Sequence, residues 1–177
     1  MPYLEFPVSA KTDPIEYRFT YEWLFRIMAE EGIHYVQLGT FSELHHLPND
    51  FFITLRQLAE GYQISIASVF TAHRELGRFF RDAHPAWEGV ARRNYERLIE
   101  VGALVGAQSV GSNPGAVVRD RLDFQDEGVQ RGVRCMKELM GYAHKLAAPC
   151  LTIEPMSCLA EPPILPDGMH NPAHADQ

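Results

Sequence analysis

Short apolar, β-branched runs recur along this chain with helical segments between them, and that alternation narrows its fold more than any other feature. The runs at Tyr3–Val8, His34–Leu38, Ile64–Phe70, Gln108–Ser112 and Cys150–Met156 read as buried strands. Four intervening segments carry apolar residues at steps of three and four. Leu24, Ile27 and Met28 mark the first, between Thr20 and Glu31, and Phe52, Leu55, Leu58/Ala59 and Tyr62 mark the second, behind the start signal Pro48-Asn49-Asp50. Ala91, Tyr95, Leu98, Val101/Gly102 and Val105 mark the third, with Arg92, Arg93, Glu96 and Arg97 turned to water. Val129, Val133, Met136, Met140 and Ala143 mark the fourth. Strand and helix in strict alternation predict a parallel sheet joined by right-handed helical crossovers.

The connections are unequal in length. Helix-to-strand links are tight (Gly32-Ile33, Gly61-Tyr62-Gln63, Gly106-Ala107, Ala148-Pro149), mostly with the glycine that ends a helix in the left-handed region. Strand-to-helix links are long, above all Thr71–Pro85 and Asn113–Asp126. Length beyond what a turn requires marks binding loops. In parallel α/β folds these loops sit at the carboxyl ends of the strands, where ligands bind.

A doubly wound nucleotide fold would carry a glycine-rich turn after its first strand, and Ser9-Ala10-Lys11-Thr12 is neither GxGxxG nor a phosphate-binding GxxxxGK[ST] loop. A (β/α)8 barrel fits the spacing but takes eight strands and about 250 residues. The pattern here supplies five strands in 177 residues. The expectation is a partial barrel over 1–166, about five parallel strands and four helices with the C-terminal strands missing through truncation or a frame disruption near Pro166. Residues 167–177 read as a disordered tail without periodicity. Such a fragment is expected to expose an apolar barrel interior and two unpaired sheet edges, and so to aggregate or oligomerise.

With 46% hydrophobic and 22% charged residues the chain carries enough for a core, and a formal charge of −7 disfavours a nucleic-acid backbone as partner. Three cysteines, Cys135, Cys150 and Cys158, without a CxxC pair suit a reducing, cytoplasmic setting. No secretory leader and no apolar stretch of membrane length is present, so neither export nor a membrane partner is expected.

Glu154, in Leu151-Thr152-Ile153-Glu154-Pro155, is delivered by an apolar run to the carboxyl end of the fifth strand. A carboxylate there can bind a hard divalent cation or move a proton beside a carbonyl, or simply bond a loop N–H. His73 and Arg74 follow the third strand, where an imidazole can bond a sugar hydroxyl and a guanidinium a phosphate, or both form a solvated loop with Glu75. Asn113, in Gly111-Ser112-Asn113-Pro114-Gly115, can orient a polyol or serve an ordinary turn. Adjacent His45 and His46 project differently, lack a third ligand at a matching spacing and read as exposed loop. Cys150 reads as a buried thiol and Cys158 as a loop thiol.

Gly32-Ile33-His34-Tyr35-Val36-Gln37-Leu38-Gly39, Ile64–Phe70, the run Asn94–Ile99 leading through Gly102-Ala103 and Gly106-Ala107, and above all Leu151-Thr152-Ile153-Glu154-Pro155-Met156 together resemble the xylose isomerase-like barrels. That family includes sugar-phosphate isomerases/epimerases and ketose 3-epimerases, with metal-dependent apurinic endonucleases as a distant branch. The resemblance covers roughly residues 3–163. It implies a sugar or sugar-phosphate substrate, a divalent Mn2+ or Mg2+, and Glu154 as both metal ligand and proton-transfer group in an enediolate mechanism. Substrate contacts would come from His73, Arg74 and Asn113. The family's further ligands, an Asp, a His and a second Glu on later strands, have no counterpart in this chain. The isolated chain is therefore expected to show no metal-dependent epimerase activity. The other class of reading is a non-catalytic barrel remnant that pairs with another chain, a second copy included.

Overall fold

The structure, a computed structural model, describes residues 8–13, 15–39, 43–71, 76–80, 83–113, 115, 117–146, 150–154 and 169–170. Five strands, β1 (Ser9–Lys11), β2 (Tyr35–Gly39), β3 (Ser65–Thr71), β4 (Ser109–Ser112) and β6 (Cys150–Ile153), form one sheet in that order. Every neighbouring pair is parallel. Four long helices connect them: α1 (Tyr21–Glu30), α3 (Asn49–Gly61), α4 (Pro85–Val105) and α5 (Gln125–Lys145). A four-residue α2 (Glu43–His46) lies ahead of α3, and 3-10 turns at Leu76–Phe80 and Arg119–Phe124 occupy the two long loops. The expected strand Tyr3–Val8 falls almost wholly outside the described residues, and the pairing strand begins at Ser9.

Alternation along each strand divides the sheet into two chemically distinct faces. Val36, Leu38, Val69 and Val110, each 0% exposed, turn outward into the helix layer. There they meet Phe25 of α1, Phe52 and Leu55 of α3, Leu98 and Ile99 of α4, and Leu139 of α5. That layer is the hydrophobic core. Helix ends follow from local chemistry. The Thr20 hydroxyl accepts the Trp23 N–H at the start of α1, Pro85 opens α4, and Gly106 closes α4 in the left-handed region at φ 73°.

A cavity of about 680 Å³ over the inner face is lined by Ser9, Ala10, Lys11, Gln37, Ala67, Ser68, Gln108, Ser109, Cys150 and Thr152, so polar groups and apolar surface are mixed there. Register makes this possible: Lys11, Gln37, Ser68, Ser109 and Cys150 lie side by side across the five strands. Cys150, expected to be buried, is exposed for the same reason, because it alternates with the core-facing Leu151. Cys135 is fully buried on α5, and desolvation first, then Glu88, pushes its thiol up to about 11. Cys150 is therefore expected to react with a maleimide at least tenfold faster than Cys135 in the native chain, since the thiolate is the nucleophile. Peptide mass mapping of timed labelling checks this, and unfolding the chain should remove the difference.

Helix α5 is rotated from its sequence reading. Gly128, Arg131, Gly132, Cys135, Leu139 and Ala143 turn inward, while Val133 and Met140 are 46% and 60% exposed. Arg131 is buried because its guanidinium lies 4.9 Å over the Phe124 ring and donates to the Ala83 carbonyl at 3.1 Å, with Glu88 at 3.7 Å. The segment expected to be a loose tail contributes β7 (Met169–His170), which pairs antiparallel with β5 (Val117–Val118). No described helix is long and apolar enough to cross a membrane.

Candidate functional site

Glu154 follows β6 directly, two positions after inward-facing Thr152, and its backbone N–H continues the ladder by donating to the Ser112 carbonyl at 3.2 Å. It shares a cavity of about 260 Å³ with Lys11, Gln37, Phe70, Thr152 and Ile153. These residues come from β1, β2, β3 and the end of β6, so the cavity lies across the sheet towards its carboxyl end. The Gln37 amide is fixed, donating to the Ser68 hydroxyl at 3.0 Å. Thr152 is fixed too, its hydroxyl donating to the Val110 carbonyl at 3.2 Å. That approach needs a glycine at 111, where a Cβ would stand 2.2 Å from Thr152 Oγ1.

Lys11 carries no motif, and sequence reasoning passed over it as part of a turn. In the structure its ammonium lies 2.7 Å from Asp13 Oδ2 and 5.5 Å from the centroid of the Phe70 ring. Asp13 in turn sits over Gly39, where a Cβ would be 0.9 Å from Asp13 Oδ1. The adjacent Thr12, fully buried, accepts the Gly39 N–H at 2.8 Å and donates to Glu16 at 2.7 Å. The ends of β1, β2 and β3 thus hold one ammonium at the rim of the cavity that Glu154 borders. The one signal for it in the sequence is the short polar run Ser9–Asp13 itself.

Asn113 stands at the same end of the sheet, just past β4, with its side-chain Oδ1 buried and without a hydrogen-bond partner among the described residues. It is not among the residues lining the cavity with Glu154. His73 and Arg74 lie outside the described residues. His45 and His46 are exposed on α2. Behind β4, Tyr95 is buried with its ring stacked 5.9 Å from Phe79, and desolvation raises its phenol pKa above the ordinary value.

No three His, Cys, Asp or Glu side chains among the described residues stand together as a metal site. The cavity offers one carboxylate, while Mn2+ and Mg2+ need several oxygen or nitrogen ligands. The Lys11 ammonium at the same cavity also opposes a divalent cation. The described residues do not fit the ion that the resemblance implies. Their chemistry is that of a carboxylate and an ammonium bordering one pocket.

No family model matches this sequence, and neither does any curated protein. Solved structures do. A Rhodospirillum rubrum protein named for xylose isomerase superposes with TM-score 0.75 at 16% identity over 86% of this chain and 55% of its own. The fold is that of the xylose isomerase-like barrels. The D-psicose 3-epimerase of Clostridium cellulolyticum H10 matches with TM-score 0.71 at 14% identity, covering 84% of this chain and 52% of that one. The 3-keto-D-glucoside 4-epimerase of E. coli matches with TM-score 0.63 at 12% identity, covering 86% and 57%. The chain thus spans about half the length of these structures, and its five parallel strands match part of their folds.

Proposed function

We propose that this chain carries the proton-abstracting part of a sugar or sugar-phosphate isomerase/epimerase, with Glu154 as the base. The observation that carries this reading is the position of Glu154 on a polar cavity at the carboxyl end of the fifth strand, in a fold shared with isomerases and epimerases. A carboxylate there can take the proton from the carbon beside a ketose carbonyl, leaving the C–H electron pair to form the enediolate double bond as the carbonyl oxygen gains negative charge. The divalent metal and the later-strand acids belong to the sequence resemblance, and the described residues do not supply them.

Inversion also needs a group that returns the proton to the opposite face. The 177-residue chain alone is therefore expected to exchange a ketose hydrogen with solvent but to yield no epimer, with or without Mn2+. The test is proton NMR of D-fructose incubated with the chain in deuterium oxide. Loss of the signal beside the carbonyl above the buffer rate supports the reading, and its absence overturns it. Mn2+-dependent epimer formation that disappears in Glu154→Gln would mean that the missing ligands come from another chain.

The exposed stripe of Val133 and Met140 on α5, with β1 and β6 at the edges of the sheet among the described residues, favours a second reading: a half-barrel that pairs with another chain. If copies of this chain associate, the contact should run through the exposed α5 stripe. Sedimentation at micromolar concentration is expected to give a dimer or larger species that Val133→Lys with Met140→Glu returns to monomer.

A further inference from the structure

We propose that Lys11 is a catalytic residue of this site, its ammonium holding the carbonyl oxygen of the bound ketose while Glu154 removes the neighbouring proton. The inference rests on the reading of Glu154 given above and assigns the other half of the chemistry. Enolisation needs a positive group or hydrogen-bond donor where the oxygen's charge develops, and such donors act best when held in place beforehand. Among the residues bordering the cavity Lys11 is the one cation, and it stands on β1 at one edge of the sheet while Glu154 follows β6 at the other.

The ammonium is held from two sides. Asp13 Oδ2 fixes it at 2.7 Å and the Phe70 ring lies 5.5 Å away. A lysine of purely solubilising role needs neither partner. This one also depends on Gly39, since any larger residue there displaces the Asp13 carboxylate. An ammonium has three N–H donors. Asp13 is its one hydrogen-bonding partner among the described residues, so donors remain for a ligand oxygen, and the side chain is 49% exposed. In the step, the C–H proton passes to the Glu154 carboxylate, the C–H pair becomes the C=C bond, and the carbonyl pair moves onto oxygen as an alkoxide bonded to the Lys11 N–H. Collapse of the enediolate returns a proton, or a deuteron after exchange, from Glu154. No oxidant or further reactant is consumed.

The experiment follows deuterium uptake into D-fructose in deuterium oxide with wild type, Lys11→Met, Lys11→Arg and Glu154→Gln, the fold of each checked by circular dichroism. Lys11→Met is expected to slow exchange about 10²-fold, as loss of one oxyanion donor does, with KM for D-fructose changed far less than kcat. Lys11→Arg should keep exchange within about tenfold of wild type, because it restores a cationic donor. Exchange that is lost in Glu154→Gln but unchanged in Lys11→Met overturns the role of Lys11 and leaves that of Glu154 standing. A matching fall in Lys11→Arg and Lys11→Met, with KM rising in step and kcat constant, also overturns it, since Lys11 would then only bind. Absence of exchange in wild type overturns the Glu154 reading and this one with it.

Discussion

Replacement of Glu154 by Gln is expected to lower solvent exchange into a ketose by about 10²–10⁴-fold, the range that removal of a positioned general base produces. The amide is nearly the same size as the carboxylate and Glu154 is exposed, so the fold should be untouched. Gln can still accept a hydrogen bond from a sugar hydroxyl but cannot take a carbon-bound proton. The loss should therefore fall on kcat, with KM for the ketose little altered. A Glu154→Asp variant separates chemistry from position: it keeps the charge but draws it back by one methylene, and an intermediate rate is expected. Equal exchange in wild type and Glu154→Gln would assign the base to another residue.

Phe25→Ala is expected to cost about 3–5 kcal/mol of folding stability, the usual range for deleting a buried aromatic ring. Phe25 is 0% exposed and anchors α1 in the layer between helices and sheet, with the Tyr21 ring 6.0 Å away. The cost should sit at the upper end because β1, the strand that α1 follows, has three residues and one neighbour and gives the helix little independent support. Domains of this size hold about 5–15 kcal/mol in total, so the variant should lose a large share of it. Urea unfolding followed by far-ultraviolet circular dichroism measures the change, and a loss below about 1 kcal/mol would show that α1 contributes little to the core.

The strand–helix alternation was legible because its elements bury apolar residues at a fixed period. The pattern located β2, β3, β4 and β6 to within a residue or two at their starts, and the loop lengths pointed to the carboxyl face. One failure has a plain physical cause: side chains that pack without being hydrophobic. On α5 the inward stripe joins Gly128, Arg131, Gly132 and Cys135 to Leu139 and Ala143, so small size and a ring-stacked guanidinium share the packing while Val133 and Met140 face out. Glu154 stands out in the sequence because it is a lone charge at the end of an apolar run. Lys11 does not stand out, because a three-residue strand has too little periodicity to fix its direction, and the Phe70 ring beside its ammonium comes from β3, far along the chain.

The two-faced sheet sets how freely this protein can change. On β2 and β4, residues that hold the fold together and residues that line the inner cavity occupy alternate positions of the same strands: Val36 and Leu38 against Gln37, Val110 against Ser109. A library of substitutions across these strands should therefore give tolerance with a period of two, in which one register governs whether the chain folds and the other what it recognises. Selection acting on the second register meets little resistance from the first, so a new specificity can accumulate step by step without first gaining stability elsewhere.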